Sequence, residues 1–294
     1  MKVEDIKKIG VVGAGLMGSQ IAQHFAQFGY EVGLMDVKEE FLTRGIGNMK
    51  SNLEKFFVKK GKLTPAQAED VIRRIKGTTN LAEAVKDADF IVEAIPENIE
   101  LKKQVFKQLD EICLEHAILA SNTSSLSITE IALATKRPSK VIGTHFFNPV
   151  AVMKLVEVVR GLSSDETVEL TCALISKIDK TPIVCRDSPG FLANRVYAPL
   201  ILEALWCVYT GVAGPKEIDT ALKLGYNLPM GPFELGDLTG WDTILSIAEY
   251  FYREFGNEKY APCPLLRMIV RAGYLGRKVG KSFYEYYEKY LKGK

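Results

Sequence analysis

The chain has 294 residues, 47% hydrophobic and 25% charged, with 38 basic against 36 acidic side chains and a net charge of +2. That length suits two domains or one large one, and the even charge gives no reason to expect a nucleic-acid or membrane partner. No apolar run reaches membrane-spanning length, and five scattered cysteines (Cys113, Cys172, Cys185, Cys207, Cys263) without a CxxC pair fit buried thiols in a reducing cytoplasm, with no metal site.

The N-terminal stretch MKVEDIKKIGVVGAGLMG sets lysines before an apolar segment, as a leader peptide would. Glu4 and Asp5 lie in its flank and glycines interrupt it, so it reads as a first strand over residues 8–12. A helix over 16–28 and a second strand over 31–36 follow, then a lysine-bearing amphipathic helix over 41–60. Thr64-Pro65-Ala66-Gln67 carries an N-cap, a first-turn proline and a glutamine three residues after the cap, which starts a helix running to about residue 75. Strands are expected over 88–94, 117–121, 141–147, 154–159 and 181–184, with helices over 99–113, 127–134 and after Ser164. Strands alternating with helices imply a doubly wound, mostly parallel sheet.

The pattern changes at Asp187-Ser188-Pro189-Gly190, beyond which strand signal almost vanishes. Residues 1–188 therefore read as an α/β domain and 189–294 as an all-helical one. Its first helix, 191–209, is apolar around much of its circumference, which suits packing against both the first domain and a partner subunit.

Gly13-Ala14-Gly15-Leu16-Met17-Gly18 fits GxGxxG, follows an apolar strand and opens a helix, and Asp36 closes the second strand. Gly13 permits a tight turn, Gly15 a close backbone approach to pyrophosphate, and Gly18 close helix–strand packing. The N–H groups at the helix start, on Leu16 and Met17, meet phosphate charge. Asp36 accepts from ribose hydroxyls and repels a 2′-phosphate, which favours NAD over NADP.

In an open α/β sheet, ligands sit beyond the carboxyl ends of the strands. Gathered there are Glu97, then Asn122, Thr123, Ser124 and Ser125, then His145 and Asn148. Taken singly, each has a plain structural reading. The serine-rich loop can be a helix N-cap, His145 a satisfied core histidine, and Glu157 a partner of Lys154. Taken together, the tight connection between strands 141–147 and 154–159 can set Glu157 beside His145. A carboxylate on one ring nitrogen fixes the tautomer and frees the other nitrogen to exchange a proton, which alcohol oxidation beside a nicotinamide requires. No nucleophile elbow and no metal cluster suggest a hydrolase.

GAGLMG, SNTSSL, HFFNPVxxMKLVEV, SPGFxxNR, MGPFELxDxxGxD and LGRKVGKSFYEY resemble, in order and over nearly the whole chain, the L-3-hydroxyacyl-CoA dehydrogenases, and most of all the stand-alone 3-hydroxybutyryl-CoA dehydrogenases. The resemblance implies a Rossmann-like NAD-binding domain, a helical substrate and dimerisation domain, an active site between them, an acyl-CoA thioester substrate and a cytoplasmic homodimer. It assigns His145 as the acid/base, Glu157 as its orienting partner, Ser124 as the donor to the substrate's 3-oxygen, and Asn194 as a substrate-positioning residue. It places Glu97, Lys102, Asn122, Asn148 and Lys278 at the NAD site. By the same resemblance the helix 41–60 is the coenzyme A region. Asn52 stands there where the family often shows serine, followed by Lys59. Lys102, Lys278 and the helix lysines also have the plain reading of solvated charges. The alternatives are a gulonate-type hydroxy-acid dehydrogenase, which shares the loop and the histidine, and a non-catalytic NADH-binding protein.

Overall fold

The computed structural model describes residues 1–293, which form two compact units, the first Met1–Phe191 and the second from Leu192 onward. The first unit holds one eight-stranded sheet, with β1 Lys8–Val12, β2 Glu31–Met35, β3 Ile75–Thr78, β4 Phe90–Glu93, β5 Ile118–Ser121, β6 Val141–Phe146, β7 Leu155–Arg160 and β8 Thr181–Arg186. The strand order is β3-β2-β1-β4-β5-β6-β7-β8. All neighbours are parallel except β6 and β7, which form an antiparallel pair. The order turns back on either side of β1, so the crevice between β1 and β4 is where a dinucleotide is expected.

The inner strands are apolar on both faces because helices cover both, while the edge strands β3 and β8 are largely exposed. Phe90 and Val92 of β4 enter one core with Phe25 and Leu34, while Ile91 between them enters the other with Phe106 and Leu109. Period-two alternation sends successive side chains to opposite faces, and each fully buried Phe or Leu contributes about 1.5–3 kcal/mol. The covering helices are α1 Leu16–Gln27, α2 Glu39–Leu53, α3 Pro65–Arg73, α4 Leu81–Val85, α5 Ile99–Ile112, α6 Ile128–Ala132 and α7 Asp165–Lys177. At the start of α3, Gln67 N–H donates to Thr64 Oγ1 at 3.2 Å and Thr64 N–H donates to Gln67 Oε1 at 2.8 Å, so the expected reciprocal cap forms. The helix expected over 41–60 is α2, which continues through a π-helical turn at Glu54–Val58.

The second unit contains α8 Ala193–Tyr209, α9 Pro215–Tyr226, α10 Pro232–Thr239, α11 Trp241–Phe255, α12 Pro264–Arg271 and α13 Phe283–Tyr290. Its core centres on Phe233, Trp241 and Phe283, whose rings lie 4.5–6.0 Å apart. Two buried aspartates brace it. Asp219 accepts from the N–H groups of Phe233 and Glu234, the orphan donors at the start of α10, and from the Tyr284 hydroxyl. Asp237 accepts from Trp241 Nε1 at 2.7 Å and Phe283 N–H at 2.9 Å. Burial raises both carboxyls above the usual range even against these donors. The motif MGPFELxDxxGxD thus owes much of its residue choice to packing. Among the described residues, no helix is long and apolar enough to cross a membrane.

Candidate active site

The glycine loop is shaped by its surroundings. Gly13 has φ +104°, and a Cβ there would lie 2.6 Å from the Ala94 carbonyl oxygen. A Cβ on Gly18 would fall on the Gly13 carbonyl, so α1 seats against the loop only with glycine at this position. Gly15 faces open space, the vacant approach a pyrophosphate needs, at the N-terminus of α1. Leu16 is exposed in the first turn of α1, and Met17 packs against the core. Asp36 Oδ2 accepts from Ala14 N–H at 2.7 Å and Oδ1 from Val37 N–H at 2.7 Å. The carboxylate therefore braces the loop, and its remaining lone pairs can take ribose hydroxyls. These features fit a dinucleotide.

His145 and Glu157 are directly opposite each other in the antiparallel β6–β7 register. Their side chains project to the same face, and His145 Nδ1 lies 2.7 Å from Glu157 Oε2. The glutamate is fully buried and the histidine 7% exposed. The ring is packed by Phe147 and Phe191, with centroids at 4.5 and 5.9 Å. Nδ1–H therefore points to the carboxylate, leaving Nε2 as the nitrogen for proton exchange. Lys154, the other candidate partner for Glu157, pairs instead with Asp179.

The serine loop after β5 is organised by carboxylates. Glu97 Oε1 accepts from Thr123 Oγ1 at 2.6 Å, Ser124 N–H at 3.1 Å, Ser124 Oγ at 3.4 Å and Ser125 Oγ at 3.1 Å. Beneath it, Glu93 is fully buried at the end of β4 and accepts from Lys102 Nζ at 2.6 Å, Ser121 Oγ at 2.7 Å and Ile95 N–H at 2.8 Å. Lys102 Nζ is also 3.5 Å from Glu97 Oε2. Lys102 is 1% exposed, so its charge is spent within the protein between two carboxylates. Asn122 donates its backbone N–H to the Glu93 carbonyl at 2.8 Å, and its Oδ1 accepts from Phe146 N–H at 2.9 Å. The loop is thereby tied to the strand that bears His145. Asn148 lies in the connection after that strand, where its Oδ1 accepts from Gln20 Nε2 at 3.0 Å.

The structure thus brings Asn122, Ser124, Glu97 and Lys102 into one network, and His145 with Glu157 into another one strand away. Glu93 and Gln20 belong to this region and sequence reasoning passed them over. A glutamate ending an otherwise apolar strand, as in Phe90-Ile91-Val92-Glu93, was the available signal. Asn52 is half-buried on α2 and Lys59 exposed just after the π-turn, where the Lys55 and Lys60 ammonium groups lie 5.1 and 5.7 Å from the Phe56 ring. In the second unit, Asn194 is half-buried in the first turn of α8 and the Lys278 ammonium pairs with Asp242. Among the described residues, no group of three or more His, Cys, Asp or Glu side chains is placed to hold a metal.

Comparison with known proteins bears on the family of the chain. Residues 8–188 match the family model for the 3-hydroxyacyl-CoA dehydrogenase NAD binding domain, and residues 190–286 match the C-terminal domain of the same enzymes. A 3-hydroxybutyryl-CoA dehydrogenase of Clostridioides difficile is 49% identical over 280 residues, covering 95% of this chain and 99% of that one. The human mitochondrial hydroxyacyl-coenzyme A dehydrogenase is 41% identical over 287 residues, covering 96% and 91%. The crystal structure of (S)-3-hydroxybutyryl-CoA dehydrogenase from Ralstonia eutropha superposes with a TM-score of 0.90 at 45% identity, covering 95% of this chain and 98% of that one. With an eight-stranded Rossmann sheet, a fitting dinucleotide loop and a helical C-terminal unit, the chain belongs to the NAD-dependent 3-hydroxyacyl-CoA dehydrogenase family.

Proposed function

We propose that the chain oxidises L-3-hydroxybutyryl-CoA reversibly to acetoacetyl-CoA, and that His145 is the acid/base. The observation carrying this reading is the buried 2.7 Å pairing of His145 Nδ1 with Glu157 across β6–β7. NAD, when bound at Gly13–Gly18, supplies the two-electron hydride acceptor. His145 Nε2 takes the proton of the 3-hydroxyl, and Glu157 stabilises the imidazolium that forms. In the reverse direction the imidazolium returns this proton to the 3-oxygen. Ser124, whose backbone N–H stays on Glu97, turns its hydroxyl from that carboxylate to donate to the substrate oxygen. Asn194 is assigned to the substrate by family resemblance, as are Asn52 and Lys59 to coenzyme A. The lysines around the π-turn suit its phosphates as point charges. Exposed Trp206, Tyr209, Val212, Leu224 and Tyr226 support a homodimer formed through the helical unit, and five cysteines without a disulfide are in keeping with a cytoplasmic enzyme.

The test follows NADH absorbance with acetoacetyl-CoA, free acetoacetate, and NADPH as the parallel cofactor. Oxidation of NADH is expected with the thioester alone. His145→Gln is expected to lower turnover roughly 100-fold or more. Glu157→Gln should lower turnover with little change in NADH binding. Turnover of free hydroxy acids in preference to the thioester would favour the gulonate-type reading, and near-normal turnover in His145→Gln would remove the histidine from the chemistry.

A further inference from the structure

The connection between β6 and β7 carries Asn148 and links the strands of His145 and Glu157. It is held from two sides. From one, Lys180 donates to the carbonyls of Val150 and Met153, the latter at 2.8 Å. From the other comes Gln20, on the second turn of the dinucleotide helix α1 and 7% exposed. Both N–H donors of the Gln20 amide are used, and its oxygen takes one donor. Nε2 donates to Leu16 O at 3.1 Å and to Asn148 Oδ1 at 3.0 Å, and Oε1 accepts from Val150 N–H at 2.9 Å.

The two ends of a primary amide are similar in shape and opposite in hydrogen-bonding sense. A donor placed against Asn148 Oδ1 decides which end remains for a ligand. With Oδ1 held by Gln20, the Nδ2 end of Asn148 is left as a donor. Gln20 also reaches the first turn of the helix that follows the glycine loop, so one side chain spans the phosphate seat and the hairpin of the acid/base pair.

We propose that Gln20 is a positioning residue of the cofactor site, acting through Asn148 by locking its amide so that a donor faces an acceptor oxygen of the bound dinucleotide. This rests on the reading that Asn148 touches the cofactor. The Val150 bond is a separate function of the same side chain, a loop brace, and the two can be told apart by atom. Glu at position 20 keeps an acceptor for Val150 N–H and replaces the donor facing Asn148 with a second acceptor.

The experiment measures the NADH Kd by fluorescence titration on the full chain, for Gln20→Leu, Gln20→Glu, Asn148→Ala and the double variant Gln20→Leu/Asn148→Ala, with thermal melts to establish folding. Gln20→Leu and Asn148→Ala are each expected to raise Kd roughly 3- to 10-fold, the range set by one net hydrogen bond. The double variant should bind no worse than Asn148→Ala alone, since both remove one interaction. Gln20→Glu should match Gln20→Leu, and it carries the comparison if the leucine variant does not fold. If Gln20→Leu binds like wild type while Asn148→Ala is weakened, if the effects multiply, or if Gln20→Glu restores binding, Gln20 is only a loop brace and the inference fails alone. If Asn148→Ala binds NADH normally, the reading of Asn148 as a cofactor contact fails and the inference falls with it.

Discussion

A lysine that is 1% exposed cannot be read as a solvated charge. Lys102 sits against a fully buried glutamate, and the pair holds the floor of the serine loop. Removing one partner leaves the other charged and without water, which costs about 3–5 kcal/mol, whereas replacing both with neutral groups of similar shape is close to neutral. Lys102→Met is therefore expected to be strongly destabilised in urea, and Glu93→Gln/Lys102→Met to recover most of the loss. Equal stability of the single and double variants would mean that the pair does not hold the fold. If the double variant is stable but turns over slowly, Lys102 matters through Glu97 and its grip on Ser124. The sequence separated these residues poorly for a physical reason. Glu93 ends an apolar strand, Lys102 belongs to an amphipathic helix, and only the return of α5 toward the end of β4 makes them neighbours. His145 and Glu157 were easier to pair, because a tight hairpin makes one strand's neighbour predictable.

At the scale of the element, the three glycines of the loop do different work. Gly15 faces open space and Gly18 is pressed against the Gly13 carbonyl. Gly15→Ala is expected to keep the melting temperature nearly unchanged while weakening NADH binding about tenfold or more, since its Cβ enters the approach to the phosphates. Gly18→Ala should lower both, because α1 must lift from the loop. Equal loss of stability in the two variants would show that the open space at Gly15 is not a ligand's path. The same elements mark how far pattern reading reaches. The strands with continuous apolar runs and α3 with its reciprocal cap were legible. The short β3, Ile75-Lys76-Gly77-Thr78, was not, because a lysine and a glycine break its apolar signal and its place at the sheet edge requires little burial on two of four residues. Neither was α4, only five residues long. The last helix, α13, was also missed. Its Phe and Tyr residues lean toward strand, although Ser282 and Glu285 form an N-terminal box that was visible in the sequence.

For the whole molecule, the chain forms two compact units, so unfolding can proceed in two steps and a single melting temperature need not describe it. The first unit carries a titration that distinguishes it. His24 on α1 is 7% exposed, its Nε2 lies 2.9 Å from the Ile178 carbonyl, and its Nδ1 is buried without a partner. Burial first, then the nearby Lys180 and Lys154, outweigh the Ile178 carbonyl and Asp179 and push it down to about 4. A histidine held neutral in the fold but free to protonate when unfolded adds stability that is complete above the unfolded value near 6.5. That stability is lost as pH falls toward 4, because the unfolded chain binds the proton first. The full span corresponds to about 3 kcal/mol, with about 2 kcal/mol gone by pH 5. For a unit of this size that is roughly 4–8 °C. Calorimetry at pH 7 and pH 5 should show the lower-pH shift in the transition that NADH raises, since the glycine loop lies in the same unit and ligand at 100 times its Kd adds about 2.7 kcal/mol there. His24→Gln, whose neutral amide can still donate to Ile178, should flatten the dependence between pH 6.5 and 5. An unchanged slope in that variant would transfer the acid sensitivity to other groups. A shift confined to the transition that NADH leaves unmoved would place it in the helical unit instead.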